Sequence, residues 1–264
     1  MKKNYFKVLI LFISVLTLSF VAAKKKPVKV FLIGDSTVAD YSLEKDYKTK
    51  RFPLHGWGQD FQPFLYRDSL KLIRNIIKAD SAIVDDRAKG GRSARTFFEE
   101  GRWAEVYKTL NKGDVVMIQF GHNDASVEKP ERYVSTSGYK EYLRLFINQT
   151  REKGGIPILI TPVTRNYPWK DGKLGSAHGE YPQAMKDVAK ELNTALIDLT
   201  ELSAAAFTAK GEEYVTNNYF MNFGEGLYDA YPKGQKDNTH FQQAGAVEIA
   251  RIVFQAMKQL PAAK

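Results

Sequence analysis

The sequence predicts one α/β domain in which a parallel sheet lies between helical layers. Five short apolar runs rich in β-branched residues recur along the chain, separated by longer segments whose apolar residues fall at helical spacing. Strand alternating with helix in this way is the signature of βαβ units. The runs are also near-continuous in hydrophobicity instead of alternating, as strands covered on both faces are. Neither a Pro/Ser-rich linker nor an internal repeat divides the chain, so a single domain is expected.

The first 23 residues stand apart from that pattern. Lys2, Lys3 and Lys7 make a positive start, "VLILFISVLTLSFV" (8–21) is an apolar core, and "VAA" ending at Ala23 offers small residues for cleavage. This is the arrangement of a signal peptide, expected over 1–23. The apolar run falls short of the roughly 20 residues that a membrane helix needs. An exported domain over 24–264 is therefore expected, periplasmic or extracellular, with no stable membrane anchor after cleavage. The chain has no cysteine, and a domain of about 240 residues can do without disulfides because it buries over about 70% of its unfolded surface.

The five strands are expected at "VKVFLIG" (28–34), "SAIVD" (81–85), "DVVMIQFG" (114–121), "IPILITPV" (156–163) and "TALIDL" (194–199). Helical spacing is found at 56–65, 93–110, 138–155 and 181–193, and "QAGAVEIARIVFQAMKQL" (243–260) is expected to close the fold. Phe97, Phe98, Trp103 and Tyr107 fall at helical intervals and are expected to pack in the core. The stretch from 211 to 236, rich in Asn, Tyr, Gly and Lys, is the least regular and is expected to be a functional loop.

The net charge is +9, of which three lysines belong to the first 23 residues, leaving +6. Basic residues are spread among acidic ones, apart from "KKK" at 24–26. This excludes the clustered basic face of a nucleic-acid binder. A moderately basic balance suits an anionic substrate.

Open parallel sheets bind ligands beyond the carboxyl ends of their strands. At the first such end stands "GDS", with Ser36; the tripeptide is also ordinary turn chemistry. "AKGGRSAR" (88–95) follows the second strand, "FGHND" with Asn123 the third, and "DNTHF" with Asp237 and His240 precedes the last helix. A serine hydroxyl needs a base, for which His240 is the candidate. Asp237, three residues earlier, is placed to fix the imidazole tautomer. The backbone amides of Ser36 and Gly91 and the side-chain amide of Asn123 are candidate donors to a developing oxyanion.

These blocks resemble the SGNH, or GDSL, hydrolase superfamily. "GDSTVADY", "GWGQ", "GGRSARTF", "QFGHND", "TPVTR" and "DNTHF" are similar in order and spacing to its rhamnogalacturonan acetylesterase-like branch, over nearly the whole chain from 28 to 260. The resemblance implies a three-layer α/β/α sandwich on a parallel five-stranded, flavodoxin-like sheet. It implies a serine esterase without metal or other cofactor, with Ser36 as nucleophile, Ser36, Gly91 and Asn123 as oxyanion hole, and Asp237 and His240 as acid and base. The substrate implied is an acetylated plant cell-wall polysaccharide, pectic rhamnogalacturonan foremost. One departure is Asp86, where many relatives are expected to carry Asn.

Around these positions, Trp57, Trp169 and Tyr219 are candidates to stack on a sugar face. Arg92, Arg95 and Arg165 are candidates to hold a uronate carboxylate, with surface salt bridges as the alternative. Asp35 and His122 are expected to be structural, and His55 and His178 to be solvated loop residues. No pair of His, Asp or Glu has metal-ligand spacing. A lysophospholipase or thioesterase of the same superfamily is the nearest alternative function, and a non-catalytic carbohydrate-binding protein the next. The polar, aromatic loops at 166–182 and 217–238 favour sugar over lipid.

Overall fold

A computed structural model describes residues 26–262, so the expected signal peptide at 1–23 lies outside the described residues. The five expected strands form one sheet, paired in parallel throughout, in the order Ala82–Asp86, Val28–Gly34, Val115–Gln119, Ile156–Ile160, Ala195–Ile197. Numbered along the chain this is 2-1-3-4-5, the flavodoxin-like order, with its topological switch point between the first and third strands.

Each strand feeds two cores because successive side chains point to opposite faces. Val30, Leu32, Met117, Ile158 and Ile160 pack with the closing helix Gln243–Met257 on one face. Phe31, Ile33, Val116, Ile118 and Leu159 pack on the other against the helices Ala94–Glu99, Arg102–Thr109, Thr136–Glu152 and Tyr181–Glu191. The fold is thus a three-layer α/β/α sandwich. The helix Thr136–Glu152 shows how the sequence dictates a layer. Ser135 caps its start by accepting from the Gly138 N–H, and Tyr139, Leu143, Phe146 and Ile147 form its buried stripe.

Elsewhere local chemistry overrides the simple spacing. The segment 56–65 forms two 3-10 turns, Trp57–Asp60 and Gln62–Leu65, with Pro63 opening the second. The segment 93–110 is two helices, divided at Gly101 with φ +73°. The helices Leu199–Lys210 and Glu212–Asn218 follow the fifth strand. The stretch from 211 to 236 is therefore not one long loop. It contains that second helix and the first strand of a hairpin, Phe220–Phe223, whose partner Gln235–Phe241 carries "DNTHF".

Candidate active site

The turn after the first strand is built to hold one serine. Asp35 is fully buried, and its Oδ1 accepts from the Thr37 N–H at 2.9 Å and the Thr37 hydroxyl at 2.8 Å, while the Val38 and Ala39 N–H groups return to its carbonyl. Burial pushes the Asp35 carboxyl up to about 6, against these hydrogen bonds and the His240 and Arg165 charges, which pull it down. Thr37 Oγ1 also accepts from Gln119 Nε2 at 2.7 Å, and Gln119 Oε1 accepts from Trp57 Nε1 at 2.9 Å. Gln119 is the register partner of Gly34 on the third strand. The turn is thereby tied to the sheet at its switch point.

His240 and Asp237 arrive from the hairpin. Phe220 pairs with Phe241 and Met221 with Asp237, so residues 238–240 are extra on one strand and bulge outward. Phe241 anchors the bulge in the core, and its carbonyl accepts from the His55 N–H at 2.9 Å. Asp237 Oδ1 accepts from the N–H groups of Thr239 at 2.8 Å and His240 at 3.1 Å. Its Oδ2 lies 2.7 Å from His240 Nδ1, and His240 Nε2 lies 2.9 Å from Ser36 Oγ. A carboxylate can only accept, so Nδ1 carries the proton and Nε2 offers its lone pair to the hydroxyl. Burial works to raise the Asp237 carboxyl, but the hydrogen bond and charge of His240, with the two N–H groups, hold it below the usual range.

Beside the serine, the loop after the second strand continues the ladder: the Lys89 N–H donates to the Gly34 carbonyl at 3.1 Å. Gly91 then takes φ +80°, a conformation that favours glycine. The N–H groups of Ser36 and Gly91 donate to no acceptor among the described residues. Asn123 Nδ2 donates to the Arg92 carbonyl at 2.9 Å, which fixes the amide next to Gly91 and leaves its second N–H uncommitted. Asp124, which the sequence reading did not single out, staples these loops together by accepting from the Ala94 and Gly121 N–H groups at 2.9 and 3.0 Å. Burial pushes its carboxyl up to about 7.

These groups border a cavity of about 590 Å³ whose wall is mostly polar and charged, with Leu54 and Met221 among its apolar residues. The other expected contacts divide sharply. Arg92 and Arg165 line the cavity, but Arg92 is held by Glu100 and by the Gly90 carbonyl. Arg95 does not line it, being bound to Glu99 and to the Pro130 and Tyr133 carbonyls. Trp57 is fully buried against Phe61 and cannot stack on a sugar. Tyr219 is likewise buried, against Phe207. Trp169 is half-buried, packs on the core and donates to Asn166, away from the cavity. Trp57 opens a 3-10 turn, Trp169 lies in a short strand and Tyr219 ends a helix, and each of these elements turns its ring towards the core, not the cavity.

The loop histidines are corrected too. His55 is buried, with Nδ1 2.9 Å from Asp60 and Nε2 2.7 Å from the Tyr47 hydroxyl. His178 is buried edge-on to His122, with 3.0 Å between His178 Nε2 and His122 Nδ1. Burial lowers His178 to about 3 and holds His122 well below its ordinary value, so both imidazoles are neutral. Among the described residues, no group of three or more His, Cys, Asp or Glu side chains is arranged to hold a metal ion.

Comparison with known proteins agrees with the fold. A sequence profile of the GDSL-like lipase/acylhydrolase family matches residues 32–246. The chain is 36% identical to the rhamnogalacturonan acetylesterase RhgT of Bacillus subtilis, over 89% of this chain and 92% of that one. It is 40% identical to the probable rhamnogalacturonan acetylesterase YesY of the same organism, over 88% and 93%. Among solved structures, the YxiM protein of B. subtilis superposes with a TM-score of 0.69 at 31% identity, over 89% of this chain and 57% of that one. The acetylxylan esterase Axe2 of Geobacillus stearothermophilus shares the fold, with a TM-score of 0.55 at 19% identity over 87% and 93%.

Proposed function

The chain belongs to the GDSL-like lipase/acylhydrolase family, and on that premise we propose that it is an exported serine esterase that removes O-acetyl groups from plant cell-wall polysaccharide, pectic rhamnogalacturonan foremost. It is a carboxylic ester hydrolase, and the acetylesterase relatives support the acyl group and the polymer. The observation that carries the chemistry is the continuous line from Asp237 Oδ2 through His240 to Ser36 Oγ, with steps of 2.7 and 2.9 Å.

In this reading Ser36 Oγ attacks the acetyl carbonyl while His240 Nε2 takes its proton. Asp237 stays ionised and supports the imidazolium. The carbonyl oxygen, now negative, receives the N–H groups of Ser36, Gly91 and Asn123. His240 then returns the proton to the sugar oxygen, the C–O bond breaks, and acetyl-Ser36 remains. Water, deprotonated by the same imidazole, attacks the acyl carbon, and acetate leaves as Ser36 recovers its hydrogen.

The charged cavity wall favours a carbohydrate over a long acyl chain, which would need an apolar groove. A purely binding role gives no reason to hold a serine against a base. Acetate release from acetylated pectic, xylan and glucomannan polymers, measured beside hydrolysis of a long-chain lipid ester, tests the proposal. Acetylated rhamnogalacturonan is expected to be the best substrate; preference for the lipid ester would overturn the reading.

A further inference from the structure

The cations around the cavity are not equivalent. Arg51 and Lys89 share Glu44, and Arg92 is held by Glu100. Three others have no close carboxylate partner among the described residues. Among the described residues Arg165 donates to neutral oxygens alone, the His122 carbonyl and the Tyr167 hydroxyl. Among the described residues Lys129 lines the cavity with no side-chain partner, and Arg132 reaches only the exposed Glu131, at 3.9 Å from its Nε. Of the three carboxylates on the wall, Glu44 is shared by Arg51 and Lys89 and Asp237 is bound to His240, which leaves Glu128 against these three charges.

Two further features set Arg132 apart. Its Nε, like that of Arg165, is shielded from solvent with no hydrogen-bond acceptor, a state that costs free energy in a buried donor. Its Nη1 sits 3.4 Å from the point where a Cβ on Gly91 would be. The guanidinium therefore packs against the bare backbone of Gly91, a candidate oxyanion donor, on the cavity wall.

We propose that Arg132 is a specificity residue that binds the carboxylate of a uronate at or beside the acetylated sugar, with Arg165 adding charge at the same wall. The planar guanidinium offers a two-pronged match to a carboxylate, and a wall with excess positive charge attracts one. This assigns the selection of acidic polymer to a residue in the 126–134 loop, not to Arg92 or Arg95, whose charges are already paired. It rests on the polysaccharide acetylesterase reading.

The test is the ratio of kcat/KM for acetate release from an acetylated galacturonate oligosaccharide to that for its methyl-esterified, uncharged counterpart. The wild-type ratio is expected to be about ten or more, and Arg132→Gln to lower it about tenfold, mainly through KM on the acidic substrate. Arg132→Lys, which keeps the charge and loses the fork, is expected to fall between. Galacturonate is expected to inhibit the wild type more strongly than galactose, a readout that needs no variant. A wild-type ratio near one, or the same ratio in wild type and well-folded Arg132→Gln protein, would overturn this inference alone. A wild type that releases acetate from neither substrate would overturn the underlying reading.

Discussion

His240 Nε2 lies 2.9 Å from Ser36 Oγ although 204 positions separate the two in the chain. The contact exists because a bulged hairpin brings the imidazole over the end of the first strand, and because Asp237 orients the ring from the same bulge. Asp237→Asn keeps the shape but lets Nδ1 become the acceptor, which turns a protonated Nε2 towards the serine. The expected outcome is a kcat loss approaching about 10⁴ with little change in thermal unfolding. Steady-state kinetics on acetylated polymer check it; a loss confined to KM would show that Asp237 serves binding.

Asn123 is fixed by its bond to the Arg92 carbonyl, so its remaining N–H is aimed before substrate arrives. Asn123→Ala is expected to lower kcat by about 10² to 10³ and to leave KM nearly unchanged, because the donor acts on charge that appears only in the transition state. Measuring both constants separates this from a binding role.

Gln119 joins Trp57 to Thr37 and so pins the serine turn to the third strand. Gln119→Leu removes the acceptor for a buried indole N–H, at a cost of about 1 to 3 kcal/mol. In a domain of this size that is a fall in Tm of several degrees. The loosened turn is expected to lower kcat as well. Calorimetry together with kinetics checks both halves; a variant with wild-type Tm would show that the chain of bonds is not holding the turn.

The sheet and the four blocks were legible because their signals are local. Buried parallel strands leave near-continuous apolar runs, and "GDS", "GGRS", "GHND" and "DNTH" each stand at a strand end or just before a helix. What was not legible depends on packing across the chain. Trp57 stands at the start of the 56–65 segment, where spacing does not say which way the ring points, and Gly56 and Gly58 press so closely on the backbone of Val38 and Ala39 that the indole lies inward. Arg95 and Arg132 look alike in sequence. Only the fold shows that one is spent on backbone carbonyls and Glu99 while the other faces the cavity. The hairpin at 220–241 was hidden by its Gly- and Asn-rich composition, although its anchors Phe220 and Phe241 are both apolar.

Asp86 makes a pH-dependent prediction. Burial pushes its carboxyl well above the ordinary value of 3.8. Above about pH 4 the unfolded chain therefore gives up a proton that the folded protein retains, and stability falls as pH rises towards the folded value. Asp86→Asn removes this penalty. Its Tm is expected to exceed that of the wild type by a few degrees at pH 7, and the difference is expected to shrink as pH falls to about 4. A gap that is constant across this range would show that Asp86 is ionised in the folded protein.

The nucleophile is tested most directly by acetate release from acetylated rhamnogalacturonan, wild type against Ser36→Ala at matched concentration and with thermal unfolding of both recorded. Ser36→Ala deletes one nearly buried hydroxyl at a turn held by Asp35 and Thr37, so the variant is expected to fold as the wild type does and to lose activity by about 10⁴-fold or more. A serine-directed phosphonate is expected to label Ser36 in the wild type and nothing in the variant. Well-folded Ser36→Ala protein that releases acetate at the wild-type rate would contradict the assignment of Ser36 and, with it, the acyl-enzyme chemistry.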